Sequence, residues 1–198
     1  MKLVGRVLVA AAVAMTPVAA AHAGWKMVDH GVAVQVAKSK LTVLPAEDWN
    51  RSSHRAGPKG ETWSLDGPGI NELYFLSGLA PTETVFKDAD KKNKPLPPMG
   101  ANLQLNEVPE FFESSIRVSY NTSLFEVTEV KPMRFLDQDG VRFTYEFAAQ
   151  DNPMRYKGVA EATLIKGKLY LISFTAPTLY FFDRDSAKAE AIMASARL

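Results

Sequence analysis

Over most of the second half of the chain, apolar and polar residues alternate with a period of two, which predicts strands. The clearest run is Val141-Arg142-Phe143-Thr144-Tyr145-Glu146-Phe147, which puts Val141, Phe143, Tyr145 and Phe147 on one face. Phe125-Glu126-Val127-Thr128 alternates in the same way and breaks its pattern at Glu129. Residues 155–165 form the next predicted strand, and Lys166-Gly167-Lys168 a tight turn into residues 169–175. Asp137-Gln138-Asp139-Gly140 is expected to turn because Asp-Gly readily takes positive φ, and Asp151-Asn152-Pro153 to turn again. Strands joined by such short links are antiparallel. The run from Leu169 to Phe174 is apolar on both faces, with Leu169, Leu171 and Ser173 opposite Tyr170, Ile172 and Phe174. That predicts a strand covered on both sides and ended by Pro177. Tyr180 and Phe182 are expected to pack as the chain enters a last helix, residues 183–197, with Asp183 as its N-cap.

The first half is less regular. Val32-Ala33-Val34-Gln35-Val36 and Lys40-Leu41-Thr42-Val43-Leu44 are short β-like runs, and residues 61–65 and 70–76 are longer ones separated by the turn Asp66-Gly67-Pro68-Gly69. In residues 70–76, Leu73 and Phe75 share one face while Tyr74 and Leu76 share the other. Residues 87–101, rich in Lys, Pro and Gly, predict a long surface connection. A helix is expected over residues 107–120, with Asn106 as N-cap, Pro109 in the tolerant first turn, and Val108, Phe111, Phe112, Ser115, Ile116 and Ser119 at helical spacing. The order strands, helix, antiparallel meander, helix predicts an α+β domain: a twisted, mainly antiparallel sheet with helices packed on it.

The N-terminus changes where that domain starts. Lys2 and Arg6 precede an apolar stretch over residues 7–15, Pro17 breaks it, and Ala21-His22-Ala23 offers small residues for a signal peptidase. Residues 1–23 are therefore expected to be a signal peptide cut after Ala23, and residues 24–198 a single domain in the periplasm, with release to the exterior as the other destination. The apolar run is short for a membrane span, and no later run of that length follows, so no transmembrane segment is expected after cleavage. Without Lys2 and Arg6 the 23 basic residues become 21 against 22 acidic ones, leaving a near-neutral chain with no footprint for nucleic acid. The chain has no cysteine, which removes disulfides, thiol nucleophiles and thiolate metal sites together.

The combination Trp49-Asn50-Arg51, Glu61-Thr62-Trp63-Ser64-Leu65-Asp66-Gly67, Asn71-Glu72-Leu73, Arg142-Phe143-Thr144-Tyr145, Leu169-Tyr170-Leu171-Ile172 and Tyr180-Phe181-Phe182-Asp183-Arg184 resembles an uncharacterised family of exported proteobacterial proteins. The element order, with its terminal strand, Pro and helix, is also similar to the PsbP-like fold of oxygen-evolving-complex extrinsic subunits and a Ran-binding import factor. That resemblance implies an α-β-α sandwich whose members mostly bind proteins, and it brings no catalytic residues with it.

Candidate chemistry is sparse. His30 and His54 have no partner at metal-ligand spacing, and Ser39, Ser64, Ser77 and Ser173 lie in no nucleophile elbow. Asp66, Glu72, Asp183 and Asp185 are acids that sequence alone cannot pair. Asp137-Gln138-Asp139-Gly140 lacks the further oxygen ligands of a calcium loop, and no Gly-rich phosphate loop occurs, so no cofactor or metal is expected. The best binding cluster is Trp49, Arg51, Trp63, Asp66 and Asn71, beside a Gly/Pro-rich loop, where indoles would stack on a ligand and polar groups orient it. Core packing is the competing role of both indoles. The functional expectation is a non-catalytic binding protein for a protein or cell-envelope component; the alternative is a small-molecule binder or weak hydrolase built on Trp49, Trp63 and Asp66.

Overall fold

A computed structural model describes residues 24–148, 150 and 154–198. The proposed signal peptide and the expected turn at residues 151–153 lie outside them. The chain forms β1 (Trp25–Val28), β2 (Val34–Gln35), β3 (Thr42–Val43), β4 (Trp49–Ser52), β5 (Gly60–Ser64), β6 (Glu72–Leu79), α1 (Val108–Ser119), β7 (Leu124–Phe135), β8 (Gln138–Ala148), β9 (Arg155–Ile165), β10 (Lys168–Pro177) and α2 (Phe181–Ser195). Eight strands make one antiparallel sheet in the order β1-β4-β5-β6-β10-β9-β8-β7, and β2 and β3 pair separately. The meander β7 to β10 thus brings its last strand back beside β6.

As its two-sided apolar pattern requires, β10 is buried on both faces. Ile172 and Phe174 join Leu73, Phe75, Trp49 and Trp63 beneath Phe182, Ala189, Ile192 and Met193 of α2. Leu171 joins Tyr74, Leu76, Phe143 and Tyr145 against Phe112 and Ile116 of α1. The architecture is therefore an α-β-α sandwich. Small residues make room for large ones on the α1 side: the Tyr145 ring lies across Gly158, where an added Cβ would collide with it. From there the Tyr145 hydroxyl shares hydrogen bonds of 2.6 Å with both Ser173 and Thr175, and burial pushes its pKa up to about 12.

Four local expectations need correction. The β7–β8 hairpin turns at Leu136–Asp137, both at positive φ, rather than at Asp137-Gln138-Asp139-Gly140. Gly140 lies inside β8, where a Cβ would press on the Ala162 carbonyl at 2.8 Å. Helix α1 is entered through a 3-10 turn, Leu105–Glu107, and the Glu107 carboxylate accepts from the Gln104 amide at 2.8 Å, so Asn106 is no cap. Helix α2 starts two residues before Asp183, with Tyr180 as its N-cap residue. Tyr180 is also exposed rather than packed, while Phe182 is buried as expected.

Because the Tyr145 ring occupies the space beside Gly158, Gly158→Ala is expected to lower stability by about 2 kcal/mol, an overpacking cost. In urea unfolding, that cost should shrink measurably in a Tyr145→Leu background, the coupling expected of two groups in contact.

Candidate functional site

Trp49 and Trp63, the two indoles of the expected cluster, lie fully inside the core on the α2 side of the sheet. The Trp63 ring meets Phe75 edge-on at 4.8 Å, and its Nε1 donates to Glu61 Oε1 at 2.7 Å, satisfying the one polar group a buried indole carries. Arg51, across from Trp63 on β4, forms an ion pair with the same Glu61 oxygen at 2.8 Å and stands 5.5 Å over the indole. It also donates to the Gln35 carbonyl, while Glu61 Oε2 accepts from the Ala37 amide. Arg51, Glu61 and Trp63 thus clamp the small β2–β3 ribbon to the main sheet. Arg51 further lines a cavity of about 200 Å³ at the outer edge of β1, with Val32 and Val34.

Asp66 and Asn71 belong to a second group, at the turn between β5 and β6. Asn71 is fully buried; its Oδ1 accepts from Ser64 Oγ and from the Leu65 and Asp66 amides, which holds the turn shut. Its Nδ2 donates to Asp66 at 2.6 Å and to Asp185 of α2 at 2.9 Å. Arg184 bonds both of those carboxylates, and Lys188 reaches Asp185 at 3.0 Å and Glu47 at 3.3 Å. Burial opposes the charge on Asp185, but the hydrogen bonds from Arg184 and Lys188 outweigh it and hold its pKa below the ordinary carboxylate value. The acids Asp66 and Asp185 therefore meet, but around two cations and an amide, as an anchor for α2. Asp183 is exposed and Glu72 stands on the opposite face of the sheet. Of the histidines, His30 pairs with Asp48 at 2.7 Å on the surface. Among the described residues no three His, Cys, Asp or Glu side chains are grouped to hold a metal, and no helix is long and apolar enough to cross a membrane.

Two features fall outside the expected cluster. Under α1, a cavity of about 200 Å³ is lined by Thr62, Glu72, Tyr74, Phe86, Phe112 and Tyr120 among others, and a narrow recess of about 30 Å³ extends from Glu72 and Tyr120 to Ile70 and Tyr156. The alternation of residues 70–76 assigns Tyr74 to this face, but only the fold brings α1 over it. The other feature sits between β10 and α2. Leu179 is 83% and Tyr180 66% exposed, and Tyr180 takes φ 72° and ψ −54°. The Phe181 amide bonds the Leu179 carbonyl at 2.9 Å, closing a γ-turn of the rare, strained hand. Arg184 lies 5.2 Å from the Tyr180 ring and 5.0 Å from that of Phe181, so the turn is braced by stacking. Exposed Met154 precedes Arg155, whose carbonyl accepts from the Thr178 amide, and exposed Leu124 occupies the same end of β7.

Asp185→Ala is expected to cost about 2 kcal/mol near neutral pH, the scale of hydrogen bonds to a charged group whose partners can still reach water. A depressed native pKa stabilises above the unfolded value and ceases to do so as pH falls through the native one. The stability gap between the native chain and Asp185→Ala should accordingly close as the pH drops below about 4, and denaturant titrations at several pH values read it.

No family model and no curated protein sequence matches the chain. Among solved structures, the cyanobacterial PsbP (CyanoP) of Synechocystis aligns with a TM-score of 0.53 over 91% of this chain and 95% of that one, at 12% identity. LpqN, involved in cell envelope biogenesis of Mycobacterium tuberculosis, aligns at a TM-score of 0.36 and 11% identity over 87% of this chain and 89% of that one. The architecture expected from element order is the one observed: the chain has a PsbP-like α+β fold, an antiparallel sheet with helices packed on it.

Proposed function

We propose that the protein is an exported, non-catalytic binding domain that docks a protein component of the cell envelope through the sheet end carrying Leu179 and Tyr180. The observation that carries this reading is the γ-turn. Positive φ at a bulky residue costs on the order of 1–3 kcal/mol, and here it serves to hold an aromatic and an aliphatic side chain out in water. Stacking of Arg184 on both neighbouring rings keeps the turn rigid, so little side-chain freedom remains to be lost on binding. Tyr180, Met154, Arg155 and Arg184 are of the residue types that dominate protein interfaces. Beside them, Glu126 and Glu146 face each other across β7 and β8 and line a cavity of about 290 Å³ with Arg155. Carboxylates placed there repel the anionic headgroups that attract surface-bound proteins, which favours a protein partner with an apolar socket and a basic side chain beside it. Export is the reading of the Lys2, Arg6 and Ala21-His22-Ala23 pattern.

A photo-crosslinking residue in place of Leu179 should yield one reproducible adduct in exporting cells, and the same residue in place of exposed Leu44 should not. Tyr180→Ala and Glu146→Lys should each reduce that adduct severalfold while the domain stays folded. Equal labelling from positions 179 and 44 would sink the docking surface. After cell fractionation the protein should be found in the periplasm with its sequence beginning at Gly24; recovery in the cytoplasm with residue 1 intact would overturn the export reading.

A further inference from the structure

The cavity beneath α1 has one unusual electrostatic property. Its walls are aromatic, from Tyr74, Phe86, Phe112 and Tyr120, and the hydroxyls of Tyr74, Ser173 and Thr175 are engaged within the protein. Tyr74 donates to the Val85 carbonyl at 2.5 Å, and Ser173 and Thr175 share the Tyr145 hydroxyl. Glu72 is the one carboxylate in the lining. Its carboxylate accepts from the Tyr120 hydroxyl at 3.1 Å, and among the described residues no Lys, Arg or His forms an ion pair with it. Burial, reinforced by the charge of Glu72, pushes the Tyr120 pKa well above its ordinary value, so this hydroxyl keeps its proton and remains a donor. Lys87 also lines the cavity, but it is exposed and makes no ion pair with Glu72.

A half-buried carboxylate without a counter-ion, set among aromatic side chains, is complementary to one ligand chemistry. The ring faces carry negative potential and attract cations, and a carboxylate in reduced dielectric strengthens that preference. A volume of about 200 Å³ lies below the range of drug-sized pockets, so the occupant has only a few carbons around its charge. We propose that the cavity between α1 and the sheet is a binding site for a small organic ammonium ion, its charge held at Glu72 and its carbons against Tyr74, Phe86, Phe112 and Tyr120. The narrow recess past Tyr120 towards Ile70 receives a short substituent of the ligand. The site lies on the opposite face of the sheet from Trp49 and Trp63 and is independent of the docking role of Leu179 and Tyr180.

The test is a titration of the full domain with choline and with n-butylammonium, followed by amide nuclear magnetic resonance shifts. The uncharged carbon analogue of choline, 3,3-dimethylbutan-1-ol, serves as the control. Saturable shifts are expected at Glu72, Tyr120 and Thr175 with at least one ammonium probe, and the neutral analogue should bind about tenfold more weakly or worse. Glu72→Gln, which keeps the shape and the acceptor for Tyr120, should weaken the ammonium probe by a similar factor while leaving the rest of the spectrum in place. Lys87→Met should leave binding unchanged or tighten it. Equal affinity for the neutral analogue, no loss in Glu72→Gln, or no saturable shift with either ammonium probe would each overturn the proposal. Loss of binding in Lys87→Met would do so as well, because the lysine rather than the carboxylate would then be the recognising group.

Discussion

The burial of β10 on both faces is the constraint from which the rest of the molecule follows. A strand with Leu171 on one side and Ile172 and Phe174 on the other has no face to leave in water, so both sides of the sheet need cover. Helix α2 supplies one cover immediately after the strand ends at Pro177, and α1, inserted between β6 and β7, supplies the other. The antiparallel meander of β7, β8 and β9 is what brings β10 back to the centre beside β6. The sandwich is thus the packing solution to one strand's composition.

Covering both faces forces polar groups inside, and the two sides satisfy them in different ways. On the α2 side, Asn71 and Asp185 gather Ser64, Asp66, Arg184 and Lys188, tying the first turn of the helix to the β5–β6 turn. Further along α2, Arg142 on β8 bridges Glu161 at 2.7 Å and Glu190 at 2.8 Å. Breaking such arrangements is costlier than their net contribution suggests, because a buried charge would lose its compensation. On the α1 side the solution is different: hydroxyls of Tyr145, Ser173 and Thr175 satisfy one another, and glycines at positions 60 and 158 admit the tyrosine rings above them. That neutral treatment of one face leaves Glu72 as its distinctive charge.

Much of this was legible in the chain itself. Period-two patterning located β8, the side chains of β8 and β10 were sorted onto the correct faces, and the break at Glu129 coincides with the bulge between Val127 and Glu129. Helical spacing of Val108, Phe112, Ser115 and Ile116 found the buried face of α1. Local chemistry failed where two local signals competed: Asp-Gly at 139–140 is a good turn pair, yet close approach of Ala162 explains that glycine better, and Leu136–Asp137 turns without any glycine. Asp183 matched the composition of a cap, but the chain had already entered the helix through the strained Tyr180. For the candidate cluster, the sequence placed Trp49, Arg51, Trp63, Asp66 and Asn71 near one another without showing direction. Direction is decisive, since the indoles turn into the core and Asp66 and Asn71 turn towards Asp185, 114 residues away from Asn71. Glu72 could not be singled out before α1 was placed over it.

The edges of the sheet bear on how such a domain would meet a partner. β7 is a long edge, but it carries Pro132, the bulge at Val127–Glu129, and the charges Glu126, Glu129, Lys131 and Arg134, all of which resist pairing with an added strand. β1, at the other edge, is only four residues long. Recognition by strand addition is thereby disfavoured on both sides. What the fold leaves exposed instead is the end of the sheet where β10 passes into α2. There, the strained Tyr180 buries little in return: its ring meets Arg184 and Phe181 but is mostly in water, and Leu179 more so. A shape maintained against its own local energy, with apolar groups turned outward and a guanidinium bracing them, is what the proposed docking surface requires to be rigid before a partner arrives.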